Sequence, residues 1–254
     1  MQSIYLTCLD LYGEFRLMAN SKVQIGRPSS GTLGDLDEGL RAYMLKVYNY
    51  MGLGLALSGA VAFYVASSPA LIQAIFGSPL AWVVMLSPLA FVLVLSFGIN
   101  KLRAETAQLI YWSFAATMGL SLSSIFLAYT PTSIVRVFFI SAATFGTMSL
   151  YGYTTKRNLM SWGSFLFMGL IGIIIASIVN IFIASSALQF LVSVIGVLVF
   201  VGLTAYDTQL IRNEYSASDT AEVSTKKAVY GALRLYLDFI NLMLMLLRLF
   251  GDRR

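Results

Sequence analysis

Seven apolar runs, each of about twenty residues, dominate the pattern of hydrophobic and polar positions along the chain. Short polar or helix-breaking segments separate them, for example Thr130-Pro131 and Lys156-Arg157-Asn158. An α-helix needs a run of this length to cross a bilayer, whereas the strands of a membrane barrel alternate over about ten residues. The pattern therefore predicts seven transmembrane helices, at residues 47–67, 79–99, 105–129, 133–154, 159–184, 187–211 and 228–250.

The composition supports a membrane location. Of the 254 residues, 58% are hydrophobic and only 11% are charged, whereas a soluble domain carries roughly a quarter charged residues. The sequence has no histidine, which excludes catalytic triads and metal sites built on that residue. The single cysteine, Cys8, excludes an internal disulfide and thiolate metal clusters. The predicted fold class is all-α, a polytopic membrane protein with the seventh helix central in the bundle, and no cofactor is expected.

The first 40 residues differ in character from the rest of the chain. They contain scattered charges and no long apolar run. Residues 1–40 are predicted to form a flexible cytoplasmic arm, and residues 41–251 the seven-helix transmembrane domain. Met18 opens the stretch Met-Ala-Asn-Ser-Lys, which is typical of a bacterial translation start. Residues 1–17 are therefore expected to be dispensable, with translation beginning at either Met1 or Met18.

Lysines and arginines accumulate on one side of the predicted spans. The N-terminal arm and the second, fourth and sixth connections hold most of the 17 basic residues, whereas the other three connections hold none. By the positive-inside rule the N-terminus is cytoplasmic. Arg253 and Arg254 would then end the chain on the opposite side. Two interpretations stay open for the seventh segment: a full crossing, which we favour, or a re-entrant segment.

Few ionisable side chains lie within the predicted spans, and such residues are costly in a membrane and usually functional. Asp207 lies late in the sixth span, and Arg234 and Asp238 lie in the seventh. Arg234, Asp238 and Asn241 form one polar stripe, because residues three or four apart share a helix face. A helix of this kind is expected in the centre of the bundle. The alternative role of the stripe is an Arg234–Asp238 ion pair that only neutralises itself.

Asp207 and Asp238 lie on consecutive helices, which predicts an interacting pair of carboxyl groups. Two carboxylates about 4 Å apart at an effective dielectric constant near 20 repel by about 4 kcal/mol, so the pair is expected to share one proton near neutral pH. The shared proton would tie the two helices together, and its loss would separate them or recruit a cation. Because calcium prefers about six to eight oxygens and two aspartates supply fewer, the predicted calcium site is weak and transient.

Two short motifs carry these aspartates. One is Ala205-Tyr206-Asp207-Thr208-Gln209, and the other is Leu235-Tyr236-Leu237-Asp238-Phe239-Ile240-Asn241-Leu242. The pair of motifs resembles the Bax inhibitor-1 (transmembrane Bax-inhibitor-motif) family of the bacterial type, over about residues 38–251. The resemblance implies a multi-pass protein of the bacterial plasma (inner) membrane. It also implies a calcium-leak activity, gated by pH through Asp207 and Asp238.

The resemblance implies a partner and further site residues. Bacterial relatives associate with a membrane-bound ATP-dependent protease, so the alternative function is a membrane interaction protein that binds and modulates such a protease. In some relatives an arginine near the end of the second helix bonds to the aspartate pair, and the nearest equivalent here is Lys101 or Arg103. The predicted supporting residues are therefore Arg234, Asn241, Lys101 and Arg103.

An intramembrane aspartyl protease is the enzyme class that these residues partly match. Tyr206-Asp207 matches the Tyr-Asp pair of such proteases. Their second aspartate follows a Gly-x-Gly sequence, however, and here the bulky Tyr236 and Leu237 precede Asp238. The chain is therefore predicted not to be an enzyme. A third possibility is a pure interaction protein, whose bundle binds a partner and conducts nothing.

Overall fold

The structure is a computed structural model that describes residues 33–99 and 101–253. Within these residues the chain folds into α-helices and one short 3-10 helix, Leu159–Trp162. The helices are α1 (Leu33–Ala66), α2 (Pro69–Phe76), α3 (Leu80–Gly98), α4 (Ala104–Leu122), α5 (Ile125–Ala128), α6 (Pro131–Thr154), α7 (Gly163–Ile183), α8 (Ser186–Glu214) and α9 (Ala221–Phe250). Residues 1–32 of the predicted N-terminal arm, including the proposed start at Met18, lie outside the described residues.

Six segments of the described chain are long and apolar enough to cross a membrane, and they correspond to the first six predicted spans. They are Asp37–Ala66, Leu80–Gly98, Ala104–Ala128, Pro131–Thr154, Leu159–Ile183 and Ser186–Glu214. These spans expose many large apolar side chains, as a lipid-facing surface does. Phe182, for example, is 84% exposed. The predicted class, an all-α polytopic membrane protein, is confirmed.

Helix α9, the seventh predicted span, is the central helix of the bundle. It carries more buried side chains than any other helix of the described chain. It packs against α3, α4, α6 and α8. It also reaches α1, because the hydroxyls of Tyr236 and Ser58 are hydrogen-bonded at 2.7 Å. Arg234 and Asp238, in the middle of this helix, are therefore largely shielded within the bundle, as its amphipathic sequence predicts.

The two ends of α9 contact opposite ends of the bundle. Near its start, Thr225 accepts a hydrogen bond of 2.7 Å from Lys46 on α1. Just after its end, the backbone N–H of Asp252 donates to the Ser133 hydroxyl at the start of α6, at 2.9 Å. The backbone carbonyl of Asp252 accepts from the N–H of Thr130, at 3.1 Å. A re-entrant segment would return to the end where it began, so this geometry favours a full crossing.

Two local features differ from the predicted boundaries. The connection between the first two spans contains α2, which begins with Pro69; proline is well tolerated in the first turn, where its missing N–H has no helical partner. The third span is interrupted between α4 and α5, where the Ser123 and Ser124 hydroxyls donate to the carbonyls of Leu120 and Ser121. Such side-chain bonds to the preceding turn compete with the helical pattern and bend it.

We expect the two ends of the bundle to face opposite sides of the membrane, with the N-terminus cytoplasmic. Single cysteines in a Cys8→Ser background test this orientation. Cysteines replacing Ser78, Ser185 and Asp252 should react with a membrane-impermeant thiol reagent in intact cells, and one replacing Asn158 should react only after permeabilisation. The reverse pattern would contradict the orientation, and protection of position 252 alone would contradict the full crossing.

Candidate functional site

The two predicted aspartates meet at the interface between α8 and α9. Asp207 lies in the last third of α8 and Asp238 in the middle of α9, and their carboxyl groups lie close enough to interact. The Asp238 side chain is deeply buried, with the residue 5% exposed. Its Oδ2 atom has no hydrogen-bond partner among the described residues. Buried polar atoms without partners are rare and need an explanation.

Arg234 lies beside the pair and contacts the neighbouring helix. Its Nη1 atom is 3.9 Å from Oδ1 of Asp207 and 3.8 Å from Oε1 of Glu214, both on α8. The guanidinium also lies over the Tyr230 ring, 4.9 Å from its centre, which is a cation–π geometry. The described ion pairs do not include one between Arg234 and Asp238. Instead of a self-neutralising pair with Asp238 on its own helix, Arg234 makes contacts that join α9 to α8.

Glu214 is a member of this cluster that the sequence reasoning missed. The predicted sixth span ends at residue 211, whereas α8 continues to Glu214. Asp207 and Glu214 are seven residues apart, which places both carboxyls on the same face of a helix. That spacing would have found Glu214 if the helix had been extended by one turn.

The other predicted supporting residues lie away from the carboxyl pair. The Asn241 amide donates to the backbone carbonyl of Leu237 on its own helix, at 2.8 Å. Lys101 and Arg103 are exposed in the connection between α3 and α4, and no ion pair of the described chain includes either of them. The cation that the structure places next to the aspartates is Arg234.

The residues that follow Asp207 in its motif hold the surrounding helices together. Thr208 belongs to a chain of hydroxyls with Ser149 of α6, at 2.9 Å, and Tyr48 of α1, a further 2.6 Å away. Because Thr208 donates to the Thr204 carbonyl at 2.7 Å and each hydroxyl has one hydrogen, the chain runs from Tyr48 through Ser149 to Thr208. It connects α1, α6 and α8 beside the aspartates.

Gln209 fixes the connection that precedes α7. Its side chain accepts a hydrogen bond from the N–H of Leu159, at 2.7 Å, and donates to the carbonyl of Arg157, at 2.8 Å. Gln209 is buried, so its ends of both bonds are shielded from water. The Asp-Thr-Gln sequence thus combines one member of the carboxyl pair with two residues that position its helix.

The oxygens available to a cation are those of the carboxyl pair and its neighbours. No cluster of three or more His, Cys, Asp or Glu side chains with metal-binding geometry occurs in the described residues. Asp207 and Asp238 are the acidic side chains in contact at the centre of the bundle. A calcium ion there would take most of its ligands from water and backbone carbonyls, because it needs about six to eight oxygens.

The fold and the site together define a polytopic helical membrane protein with a buried carboxyl pair on its central helix. The chain belongs to the Bax inhibitor-1 family: the family profile described as "Inhibitor of apoptosis-promoting Bax1" matches residues 40–254. The resemblance inferred from the two aspartate motifs is thereby confirmed. This family is a membrane Bax-inhibitor family and not a known enzyme family.

Bacterial relatives are similar over nearly their whole length. Inner membrane protein YbhL of Escherichia coli K12 is 48% identical over 230 residues, which cover 89% of this chain and 98% of YbhL. Protein RP147 of Rickettsia prowazekii is 49% identical over 218 residues, covering 86% and 92% of the two chains. Membrane protein SpyM3_0260 of Streptococcus pyogenes is 38% identical over 218 residues, covering 85% and 94%. The predicted multi-pass location in the inner membrane is confirmed, and the orientation stays a prediction.

Proposed function

We propose that this protein is a pH-sensitive cation leak, with calcium as the first ion to test, and that Asp207 and Asp238 form its gate. The observation that carries the proposal is the Asp238 carboxyl group. It is buried on the central helix, it touches Asp207 of α8, and one of its oxygens has no hydrogen-bond partner among the described residues. A buried acceptor of this kind favours a bound proton or a bound cation.

The charges around the pair do not balance without a further proton or cation. The cluster contains three carboxyl groups, those of Asp207, Asp238 and Glu214. One cation, Arg234, is the ion-pair partner of both Asp207 and Glu214. The nearby Lys227 is paired with Asp219, at 2.6 Å, and donates to the backbone carbonyl of Glu214. Because uncompensated charges are strongly disfavoured inside a protein, the cluster has a reason to hold a proton, and to accept a cation when that proton leaves.

The gate operates through the shared proton. Asp207 faces Arg234 and carries the negative charge, so the proton belongs to Asp238, which donates it to Asp207 across the interface of α8 and α9. Deprotonation replaces this hydrogen bond by repulsion of about 4 kcal/mol at 4 Å and an effective dielectric constant near 20. The helices then move apart or admit a cation. The leak therefore increases as pH rises.

A cavity between α1 and α6 supports the proposed exchange of protons with water. Its volume is about 420 Å³, and Arg41, Tyr48, Gly146, Ser149 and Tyr153 contribute to its walls. Tyr48 and Ser149 are the first two members of the hydroxyl chain that ends at Thr208, the residue after Asp207. The hydroxyl chain thus links the cavity to the turn of α8 that carries Asp207.

Calcium flux into proteoliposomes between pH 6 and pH 8 tests the proposal. The wild-type protein should show a several-fold rise in flux across this range. Asp238→Asn should give a low flux that does not change with pH, because the asparagine amide donates to Asp207 as the shared proton does but cannot dissociate. Asp207→Asn should also abolish the pH dependence, because the asparagine amide can donate to Asp238 after Asp238 loses its proton, so no repulsion drives the helices apart.

Asp252→Asn provides a matched control. Asp252 is an exposed residue at the other end of the bundle, with its side chain 62% exposed, so this variant should retain the wild-type pH dependence. A pH-independent flux that is equal in the wild type and both pair variants would exclude the gate. Unchanged flux together with altered co-purification of a membrane-bound ATP-dependent protease would favour the interaction function that the family implies.

A further inference from the structure

A second cavity, separate from the carboxyl pair, lies where α7 turns into α8 and α9 approaches its end. Its volume is about 410 Å³, and its polar lining residues are Ser177, Asn180, Gln189 and Arg248. These residues come from three different helices: α7, α8 and α9. The cavity lies at the end of the bundle opposite Lys46 and Thr225, in the region where these spans terminate.

The turn between α7 and α8 holds Asn180 in a fixed position. Ala184 ends α7 with a φ of 53°, in the left-handed region, and its N–H donates to the carbonyl of Asn180 at 2.7 Å. The next N–H, that of Ser185, donates to Oδ1 of the Asn180 side chain at 3.0 Å. With its oxygen engaged as an acceptor, the Asn180 side chain presents its NH₂ group as a donor.

Hydrogen-bond donors predominate in this cavity. Arg248 is exposed and is not part of any ion pair of the described chain. Its guanidinium and the amides of Asn180 and Gln189 supply donors, and no carboxylate is among the lining residues. A site with a cation, two amides and no acid selects an anion with several acceptor oxygens.

We propose that this cavity, defined by Asn180, Gln189 and Arg248, binds a phosphate group. A guanidinium matches two oxygens of a phosphate in a bidentate arrangement, and the amides would bind the remaining oxygens. Phospholipid headgroups supply phosphate at the depth where transmembrane helices end, and basic pockets between such helices bind them. A soluble phosphate would offer the same oxygens from the aqueous side.

Binding of lipid to the full-length protein tests this proposal, measured by native mass spectrometry in detergent. The two probes are phosphatidylglycerol and diacylglycerol with the same acyl chains, which differ in the phosphoglycerol headgroup. Phosphatidylglycerol should remain bound to the wild type and diacylglycerol should not. Arg248→Gln should weaken phosphatidylglycerol binding by about tenfold, the usual effect of losing a hydrogen bond to a charged group.

Asn180→Asp is the second variant, and it leaves the turn intact. The aspartate keeps an oxygen that accepts from the N–H of Ser185 but replaces the NH₂ group by a negatively charged oxygen. It should therefore weaken phosphatidylglycerol binding at least as much as Arg248→Gln, without a change in the thermal stability of the protein. Arg136→Gln is the matched control: Arg136 lies at the same end of the bundle, outside the cavity, and pairs with Asp252 at 3.3 Å.

Competition with inorganic phosphate separates the two sources of the ligand. Displacement of phosphatidylglycerol by millimolar phosphate would indicate a site open to soluble phosphates, and resistance to displacement would indicate a lipid site. Equal binding of phosphatidylglycerol by the wild type, Arg248→Gln and Asn180→Asp would overturn the proposal. An equal loss in Arg136→Gln would also overturn it, because the effect would then reflect only the charge of this end of the protein.

Discussion

Replacing Arg234 with methionine is expected to lower the free energy of unfolding by about 3 kcal/mol, measured by denaturant unfolding in detergent micelles. The Arg234 side chain is 20% exposed, and those of its partners Asp207 and Glu214 are 16% and 33% exposed. Removing the guanidinium leaves the Asp207 and Glu214 carboxylates without the cation that they share, and Asp207 also faces the Asp238 carboxyl. The loss should be larger at pH 8 than at pH 6, because protonation relieves the repulsion between the carboxyl groups at low pH.

Arg136→Met makes the same chemical change in an exposed ion pair. The side chains of Arg136 and Asp252 are 59% and 62% exposed, so this pair should contribute less than about 1 kcal/mol. The double variant Arg234→Met/Asp207→Asn should recover part of the stability lost in Arg234→Met, since it removes one of the uncompensated charges. Equal effects of the substitutions at Arg234 and Arg136, or no recovery in the double variant, would contradict the interpretation of Arg234 as the counterion.

The helical membrane fold could be predicted from the sequence because lipid imposes a simple requirement. Every span needs about twenty apolar residues with internally satisfied backbone groups, and this pattern is visible without knowledge of tertiary contacts. The central position of α9 was also predictable, since Arg234 and Asp238 would be unfavourable on a lipid-facing helix. Helix boundaries were less predictable: Pro69 begins α2 although it reads as a breaker, and α8 extends to Glu214.

The candidate site was also only partly predictable from the spacing of residues along the sequence. Two aspartates on consecutive helices predicted an interacting carboxyl pair, and the structure places the two side chains next to each other at the interface of α8 and α9. The partner of Arg234 could not be read from spacing, since its long side chain reaches Asp207 and Glu214 on α8 instead of Asp238 on its own helix. The roles of Lys101, Arg103 and Asn241 stay predictions, and none of the described hydrogen bonds or ion pairs joins them to the aspartates.

The positioning of Asp207 depends on the close approach of α6 and α8. At Gly152 the backbones of these helices are so near that an added Cβ would lie 2.9 Å from the Cα and carbonyl carbon of Ala205, and nearer still to its oxygen. These are backbone atoms, which cannot rotate away as a side chain could. Ala205 is two residues before Asp207, so a shift of α8 at this contact moves the carboxyl pair. Small residues at helix contacts have this function in many membrane proteins.

Gly152→Ala is therefore expected to destabilise the protein by about 3 kcal/mol, as overpacked substitutions do, and to alter the pH dependence of calcium flux.

Gly146→Ala on the same helix is the control. A Cβ at Gly146 meets no atom within 4 Å, so this variant should gain up to about 1 kcal/mol from the higher helix propensity of alanine. Both values come from denaturant unfolding in micelles. The displaced α8 should also lengthen the Ser149–Thr208 hydrogen bond, now 2.9 Å, and so interrupt the hydroxyl chain. Equal stability of the two variants would mean that the approach of α6 to α8 does not constrain Asp207.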